Sequence, residues 1–383
     1  MIQIPVEPAM TEYLHRKAAR NKIPLSGTFE LTPVCNMNCQ MCYVRMSKAQ
    51  QESIRPLMTV DEWVELAETA KKEGMLYLLI TGGEPFLYPG FRELLQRLDK
   101  MGLIISINSN ATMIDEKVIE WLKETPPIRI NITLYGASDE TYGRLCNNPK
   151  GFTQVTKAIR LLREAGIMVK INCSVTPYNK DDLEEIMEYC RRERLLIQPT
   201  SYMFPPMRRD KNMIGQNDRF SPEEAAYQAA KIEMLLNGKE RFLEREKEKE
   251  WSGALPSPDE QCQEAEGDCI RCRAGKSSFW VTWEGKLYPC GMITDDSFQY
   301  LSEIGFQEAW KYAVAYAEGI RLPVPCKKCE LADTCRACAA MVLTETGNYH
   351  TVPEYRCRMA QAYPAAYKKL AEEIRKEKEE ENE

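Results

Sequence analysis

The sequence predicts an α/β protein that begins with a partial, parallel (β/α)6 barrel of the TIM type. Short apolar runs suited to buried parallel strands alternate with segments of helical periodicity. Polar and glycine-rich residues fall just after the strands, where such a barrel places its chemistry at the carboxyl-terminal rim. This placement favours a curved, partly closed barrel over a doubly wound sheet. The predicted strands cover residues 27–31, 75–80, 103–107, 128–134, 168–175 and 196–202.

The helices between these strands have boundary signals of their own. Thr59 and Glu62 form a capping box at the start of a helix that runs to about Lys72. Gly102 and Gly166 follow two further helical runs, at positions typical of a helix C-cap. The predicted helices cover residues 59–72, 91–101, 116–123, 152–165 and 180–194.

The alternation ends after Met203, and the rest of the chain has a different organisation. Residues 204–220 are rich in proline and charge and predict a loop. Cysteines crowd residues 262–357, and we expect this part to fold around metals rather than around apolar bulk. Further helices are predicted over 225–236 and 239–250, and a short helix that frays into charge over 367–383. The predicted units are an N-terminal segment (1–26), the barrel (27–220), a helical linker (221–261), a small cysteine-rich domain (262–360), and a C-terminal helix with a charged tail (361–383).

Composition and charge argue against several classes of function. The chain has 383 residues, of which 44% are hydrophobic, so it can bury a substantial core. Its net charge of −6 argues against nucleic acid as the main partner. No apolar run is long enough to span a bilayer, and residues 1–20 lack the apolar core of a signal peptide. We therefore expect a cytoplasmic protein with neither a membrane nor a nucleic-acid partner.

The 15 cysteines are the strongest chemical signal in the sequence. Disulfides are disfavoured in the cytosol, and an odd number of thiols excludes complete internal pairing, so metal or cluster ligation is the better explanation. Three cysteines have the spacing Cys35-x3-Cys39-x2-Cys42 shortly after the first predicted strand. Three thiolates are one fewer than a [4Fe–4S] cluster takes, which leaves one iron open to a substrate or cofactor.

The second motif is Gly82-Gly83-Glu84-Pro85, which follows the second predicted strand. In this order and on these elements, the cysteine triplet and the GGEP turn resemble the radical S-adenosylmethionine (SAM) superfamily. The resemblance implies that the three cysteines hold a [4Fe–4S] cluster whose open iron binds the amino and carboxylate groups of SAM. One electron from the cluster then breaks a C–S bond of SAM and generates a 5′-deoxyadenosyl radical.

The resemblance also implies which residues contact SAM. Glu84 balances the SAM ammonium group, and the two glycines before it let the backbone approach the ligand closely. Arg144 suits the SAM carboxylate, because a guanidinium matches its geometry. Met41 stands where many relatives carry an aromatic residue near adenine, and Tyr43 is a second candidate for that contact. The full set of predicted SAM-contact residues is Gly82, Gly83, Glu84, Pro85, Met41, Tyr43, Ser109, Asn110, Thr133 and Arg144.

Two polar stretches match the family only in part. Ser109-Asn110-Ala111 stands where many relatives carry Thr-Asn-Gly near the SAM ribose, with alanine in place of the glycine. Residues 133–136 read Thr-Leu-Tyr-Gly, where relatives carry Ser-Leu-Asp-Gly.

The C-terminal cysteines include Cys272, Gly285-x4-Cys290, Cys326-x2-Cys329-x5-Cys335 and the distant Cys357. In this order they resemble the SPASM extension, which carries two auxiliary [4Fe–4S] clusters in relatives. Cys269 and Cys262 both remain open as fourth ligand of the inner cluster, and Cys269 is preferred for its Cys-x2-Cys spacing. Taken alone, Cys326 to Cys338 fits a zinc ribbon equally well, and Cys335-x2-Cys338 is one residue shorter than the common SPASM form. The family's ligation implies an outer cluster on Cys326, Cys329, Cys335 and Cys357, and an inner cluster on Cys272, Cys290, Cys338 and the fourth ligand.

The two-module layout implies an enzyme that modifies a side chain of a peptide or protein. We expect maturation of a ribosomally made peptide by a thioether or carbon–carbon crosslink, epimerisation or a related oxidation. The alternatives are a small-molecule or cofactor-biosynthesis radical SAM enzyme, an anaerobic sulfatase maturase, and a non-catalytic electron-transfer protein. Sulfatase maturases usually carry an aspartate base after the cysteine equivalent to Cys290, where this chain has Gly291.

The resemblance implies cofactors and partners as well. We expect SAM, three [4Fe–4S] clusters, a flavodoxin- or ferredoxin-type electron donor, and a peptide or protein substrate. Only 34 residues precede Cys35, too few for the winged-helix peptide-binding domain of ~80 residues that many peptide maturases carry. A leader peptide is therefore expected to bind a separate protein, or the barrel and C-terminal domain directly. The sequence names no catalytic base.

Overall fold

Eight strands form one sheet that runs through most of the chain. We describe it from a computed structural model, over residues 7–248, 270–327 and 329–380. The strand order is β6-β5-β4-β3-β2-β1-β7-β8, and every neighbouring pair is parallel except β7 and β8. The strands are β1 (Ser26–Glu30), β2 (Tyr77–Thr81), β3 (Ile104–Ser109), β4 (Arg129–Thr133), β5 (Val169–Ser174), β6 (Leu196–Thr200), β7 (Ser278–Val281) and β8 (Leu287–Tyr288).

Helices connect successive parallel strands, as in repeated βα units. In the barrel they are α1 (Ala9–Arg20), α2 (Lys48–Ile54), α3 (Val60–Lys72), α4 (Phe91–Asp99), α5 (Glu116–Leu122), α6 (Asp139–Cys146), α7 (Gly151–Glu164) and α8 (Leu183–Arg192). Beyond β6 they are α9 (Pro222–Asn237), α10 (Lys239–Glu248), α11 (Leu301–Gly319), α12 (Val324–Lys327), α13 (Ala332–Cys335), α14 (Ala339–Thr346) and α15 (Glu354–Glu380).

The main apolar core lies on one face of this sheet. Along β3 to β5 the residues alternate, so that Ile107, Ile132 and Ile171 are fully buried while their neighbours in sequence form the opposite, more polar face. The parallel register aligns the strand ends, with Glu30 beside Thr81 at the carboxyl edge. All loops that follow these strands therefore meet at that edge, which is where the predicted motifs lie.

The six predicted barrel strands and their connecting helices are confirmed, and the sheet then goes further than predicted. Ser278 to Val281 pairs in parallel with β1, next to the strand that leads into the first cysteines. The cysteine-rich part is thus hydrogen-bonded to the barrel sheet rather than attached beside it. The sequence analysis missed this strand because four residues give too little periodicity to detect.

Two expectations about the C-terminal part are wrong. The tail is not a short helix: α15 has 27 residues, and its buried side chains, Tyr367 among them, pack against α9. The tail is rich in charged residues, so its apolar stripe is recognised only from the packing of α15 against α9. The cysteine-rich part also contributes to an apolar core, in which Ile293, Leu322 and Val342 cluster with Met207 of the loop after β6. Cys262 and Cys269 lie outside the described residues.

Helix α1 was also missed by the sequence analysis. It is held to the sheet by His15, which is 5% exposed and stacks on Tyr77 with ring centroids 5.8 Å apart. The two ring nitrogens of His15 lie 3.1 Å from the hydroxyl oxygens of Ser277 and Ser26. Within the described residues, none of these helices is long and apolar enough to cross a membrane.

Candidate active site

The first cysteine loop follows β1 and is hydrogen-bonded to the C-terminal end of α6. The last carbonyls of α6 lack partners within the helix, and two of them accept hydrogen bonds from this loop. Asn38 N donates to Cys146 O at 2.9 Å, and Gln40 N donates to Leu145 O at 3.0 Å. The loop that carries the three thiols is therefore fixed by the barrel scaffold.

The three thiols have the surroundings that cluster-ligating sulfurs require. Backbone amides donate to two of them, from Met37 N to Cys35 Sγ at 3.4 Å and from Arg45 N to Cys42 Sγ at 3.3 Å. Such N–H···S bonds stabilise negative charge on sulfur. These observations fit a [4Fe–4S] cluster held by Cys35, Cys39 and Cys42.

Burial makes these thiols poor acids on their own. It raises the pKa of Cys35 to about 12 and also raises the pKa of Cys42. The neighbouring Cys146 thiol and then burial raise the pKa of Cys39 well above its usual value. A coordinating metal deprotonates a thiol outright, so the thiolate form at this position depends on the metal.

The GGEP turn packs directly against the cysteine loop. A Cβ on Gly82 would lie 2.6 Å from Thr32 O, and one on Gly83 would lie 2.5 Å from Val34 O. Gly83 N donates to Thr32 O at 2.6 Å, and Glu84 N donates to Val34 O at 3.0 Å. Both glycines are therefore required by this close backbone approach, in addition to any contact with a ligand.

Glu84 is fully buried and ties the ends of β2 and β3 together. Its carboxylate accepts hydrogen bonds from Ser109 Oγ at 2.9 Å, Asn110 N at 2.8 Å and Phe86 N at 3.1 Å. Burial raises the pKa of Glu84 to about 7, against the lowering effect of these three bonds. Glu84, which is predicted to contact the SAM ammonium group, thus also holds the GGEP turn in place.

Asn110 links the third strand to the cysteines. Its Nδ2 donates to Asn36 Oδ1 at 2.9 Å and lies 3.6 Å from Cys35 Sγ. Ala111, which replaces the glycine of relatives, is buried in the left-handed region with φ 61°. Glycine adopts this backbone conformation freely, whereas the alanine here adopts it at some conformational cost.

The other predicted SAM-contact residues are distributed around this edge. Thr133 ends β4 and is half-buried, and its carbonyl accepts a hydrogen bond from the Tyr142 hydroxyl at 3.3 Å. Arg144 is exposed on α6, and its guanidinium donates to Thr141 Oγ1 at 3.4 Å. Met41 is 4% exposed and belongs to the main core.

The second cysteine field forms two neighbourhoods. Burial, and then the charges of Cys272 and Cys338, raise the pKa of Cys290 to about 11. Burial, then the charges of Cys335 and Cys329, raise the pKa of Cys357. Cys326 N donates to Pro323 O at 2.9 Å.

Among the described residues, no group of three or more His, Cys, Asp or Glu side chains could hold a single metal ion.

A buried ion pair that the sequence analysis missed joins the two cysteine fields. Arg208, in the loop after β6, donates to both oxygens of Glu30 at 2.7 and 2.5 Å, and Trp280 Nε1 donates to Glu30 Oε2 at 3.1 Å. Arg208 also donates to Gly291 O at 3.3 Å. Tyr43 lies in the same region, where burial raises its pKa to about 12. These partners are far apart in sequence, so no local pattern could have shown them.

Gly291 has a steric reason to be glycine. A Cβ at this position would lie 2.6 Å from the indole ring of Trp280. The aspartate that sulfatase maturases usually carry here therefore has no room in this protein.

Comparison with known proteins decides the family of the barrel. Residues 29–190 match the family described as the Radical SAM superfamily. The chain carries a radical SAM domain. Such a domain binds SAM and a [4Fe–4S] cluster, and the Cys35, Cys39 and Cys42 loop beside the GGEP turn is the part of this chain that fits them.

Curated relatives of this chain are named for several activities. AdoMet-dependent heme synthase of Methanosarcina barkeri is 25% identical over 354 residues, which are 86% of this chain and 95% of that protein. Sporulation killing factor maturation protein SkfB of Bacillus subtilis is 23% identical over 74% of this chain and 65% of its own length. Antilisterial bacteriocin subtilosin biosynthesis protein AlbA of Bacillus subtilis is 28% identical over 44% of this chain and 37% of its own length.

Solved structures share the fold well beyond the radical SAM domain. Streptococcus suis SuiB bound to its precursor peptide SuiA superposes with a TM-score of 0.65 at 16% identity, over 89% of this chain and 78% of SuiB. AdoMet-bound anSMEcpe superposes with a TM-score of 0.64 at 17% identity, over 92% of this chain and 95% of that chain. The similarity at this identity is one of fold.

Proposed function

We propose that this protein is a radical SAM enzyme that matures a ribosomally made peptide by modifying one of its side chains. The observation that carries the radical SAM part is the meeting of the cysteine loop, the GGEP turn and Asn110 at one edge of the sheet. The peptide substrate is supported by the relatives SkfB and AlbA, whose names assign them to the maturation of a killing factor and of a bacteriocin.

Within this proposal the chain's own residues bind and orient the cofactor. When bound, the cluster and SAM supply a carbon radical that removes a hydrogen atom from the substrate. The GGEP turn and Ser109 line the edge where SAM is proposed to bind, with Arg144, Thr133, Met41 and Tyr43 as further candidate contacts.

We further propose two auxiliary [4Fe–4S] clusters in the C-terminal part, with the ligands that the SPASM resemblance implies. The electrostatic coupling of Cys290 with Cys272 and Cys338, and of Cys357 with Cys335 and Cys329, supports this grouping. About twelve irons per chain are expected after anaerobic reconstitution, from three clusters of four. Four irons together with zinc would contradict the auxiliary clusters.

The partners follow from the same proposal. A flavodoxin- or ferredoxin-type protein is proposed as electron donor, because each turnover consumes an electron from outside unless the substrate returns it. A separate protein is proposed as one route for holding a leader peptide.

A second candidate function is chemistry on a small molecule. The match to AdoMet-dependent heme synthase spans 95% of that protein, more than the match to either peptide-related relative. Conversion of a tetrapyrrole precursor to heme by the purified protein, with no peptide changed, would decide for this candidate.

The proposal is tested by co-expressing the protein with short open reading frames encoded beside its gene and weighing the products by mass spectrometry. A mass change of one peptide is expected with the unaltered enzyme and not with the Cys35→Ala/Cys39→Ala/Cys42→Ala variant. Formation of 5′-deoxyadenosine from SAM and dithionite is measured in parallel. Active SAM cleavage with every peptide unchanged would count against peptide maturation.

A further inference from the structure

The inner face of the half-barrel carries charged side chains that the radical SAM site does not use. Ile130 and Ile132 on β4 are fully buried in the main core, so Arg129 and Asn131 point to the opposite face, into the barrel. The parallel register places Asn131 beside Lys170 on β5. Lys170 therefore lies on the same inner face, as the diagonal neighbour of Arg129.

Arg129 and Lys170 are half-buried cations that have no acidic partner among the described residues. Neither is within 4.0 Å of a carboxylate oxygen there, and Lys170 Nζ instead donates to the neutral Gln198 Oε1 at 2.5 Å. Burial lowers the pKa of Arg129, and burial followed by the charge of Arg129 lowers the pKa of Lys170. Two like charges held close together at half-buried positions cost free energy unless an anion joins them.

Two buried atoms of this cluster also have no hydrogen-bond partner among the described residues. They are Arg129 Nε, a donor, and Asn131 Oδ1, an acceptor on a side chain that is 6% exposed. Asn131 uses its other atom, Nδ2, to donate to Asn108 Oδ1 at 2.8 Å. Because buried polar groups are almost always paired, a ligand that fits here accepts from Arg129 and donates to Asn131. A peptide offers both, through an acidic side chain and backbone N–H groups.

The amino-terminal end of the same inner face is exposed and apolar. Met168 lies two residues before Lys170, and Ile104 lies two residues before Ser106, so both share the inner face by strand alternation. Their side chains are 53% and 37% exposed. The amino-terminal approach to the cations thus carries exposed apolar side chains at these two positions.

We propose that Arg129, Lys170 and Asn131 bind an acidic side chain of the peptide substrate inside the half-barrel. This rests on the proposed peptide maturation and adds a specificity site to it. Arg129 lies four residues before Thr133, which is about 13 Å along the strand from the carboxyl edge. An extended peptide covers this distance in about four residues. The recognised Asp or Glu is therefore expected about four to six positions from the modified residue.

The first experiment asks whether the cations bind a carboxylate at all. Melting temperatures of the cluster-loaded protein are measured in sodium glutarate and in sodium chloride of equal ionic strength. Glutarate is expected to raise the melting temperature of the unaltered protein and to leave that of Arg129→Met/Lys170→Met unchanged. Arg92→Met/Lys157→Met, which removes an exposed arginine paired with Glu124 and an exposed lysine paired with Glu116, is the charge-matched control and is expected to keep the glutarate effect.

The same measurement separates a binding role from a structural one. Without glutarate the double variant is expected to melt at the same temperature as the unaltered protein or slightly above it, because an unfavourable pair of like charges is removed. A melting temperature lowered by several degrees would show that the cations support the fold, and would overturn the proposal.

The second experiment uses the peptide found in the co-expression test. Neutralising Arg129 or Lys170 is expected to raise KM about 10- to 100-fold, the loss of a hydrogen bond to a charged group, with kcat changed far less. Replacing the recognised Asp or Glu of the peptide by its amide is expected to have the same effect, and the two changes together are expected to do no more than either alone. Substrate-independent 5′-deoxyadenosine formation is expected to stay unchanged.

The outcomes distinguish this inference from the function on which it rests. If the unaltered enzyme modifies no peptide, the proposal of peptide maturation is wrong, and so is the assignment of Arg129 and Lys170 to a peptide substrate. The glutarate measurement still shows in that case whether the two cations bind carboxylates. If the peptide is modified but no acidic position couples to Arg129 or Lys170, peptide maturation stands and the inference is wrong.

Discussion

The buried Glu30–Arg208 pair gives the sharpest test of how the two cysteine fields are held together. The side chains of Glu30 and Arg208 are 0% and 11% exposed, and the guanidinium supplies two of the three hydrogen bonds that Glu30 receives. Arg208→Met leaves the buried carboxylate with Trp280 Nε1 alone. Removing one partner of a buried pair costs about 3–5 kcal/mol, which for a chain of 383 residues lowers the melting temperature by about 4–6 °C.

Two further variants show whether this cost comes from the unpaired carboxylate of Glu30. Glu30→Gln/Arg208→Met removes the charge as well, and is expected to recover at least half of the lost melting temperature, since a neutral amide is cheaper to bury. Lys211→Met removes an exposed ion pair of similar length, 2.8 Å to Asp296 with side chains 77% and 91% exposed. This control is expected to leave the melting temperature within about 1 °C of that of the unaltered protein, because exposed ion pairs add little stability.

The assay is thermal unfolding of the cluster-loaded protein under anaerobic conditions, with iron counted before and after a period at the working temperature. Arg208→Met is also expected to lose iron faster, because Arg208 holds the carbonyl of Gly291, next to Cys290. A melting temperature within about 1 °C of the unaltered protein, or a double variant no better than the single one, would refute the reasoning.

Three further changes test other parts of the structure. Gly291→Ala is expected to destabilise the protein by about 1–3 kcal/mol, because the new Cβ overlaps the Trp280 ring. Gly319→Ala is the control and is expected to be neutral, because no atom lies within 4 Å of its new Cβ. Equal melting temperatures of the two variants would contradict this prediction. Arg219→Met breaks a buried pair with Glu345, at 2.6 Å and with side chains 5% and 4% exposed, and is expected to speed proteolysis of the C-terminal part far more than the Lys211→Met control does. Burial, and then the charge of Arg273, lower the pKa of His15 to about 4 from 6.5, so the stability it contributes is complete above pH 6.5 and is lost as the pH falls towards 4. At pH 5 the loss is about 2 kcal/mol, and His15→Gln is expected to lack this part of the pH dependence in unfolding measurements; an unchanged pH profile would argue against it.

Much of the barrel could be predicted because its signals are local. Strand alternation, helix caps and the glycine after a helix each depend on a few neighbouring residues, and the six barrel strands were found at nearly their observed positions. The cysteine triplet and the GGEP turn are equally local, and parallel strands bring their loops to one edge without further information. Helix α15 was underestimated because its length depends on packing against α9, which its charged sequence does not show.

The sequence by itself determined the βα order, the clustering of thiols after β1 and the edge of the sheet where the chemistry lies. Only the tertiary structure decided that Glu84 is a fully buried tie between β2 and β3 and that Arg208 reaches Glu30 across 178 positions. It also decided that Arg129 and Lys170 share an inner face and have no acidic partner within the part of the chain that the structure describes. The physical reason is that strand and turn preferences act between neighbours in sequence. The partner of a buried charge is instead chosen by which segments the folded sheet brings into contact.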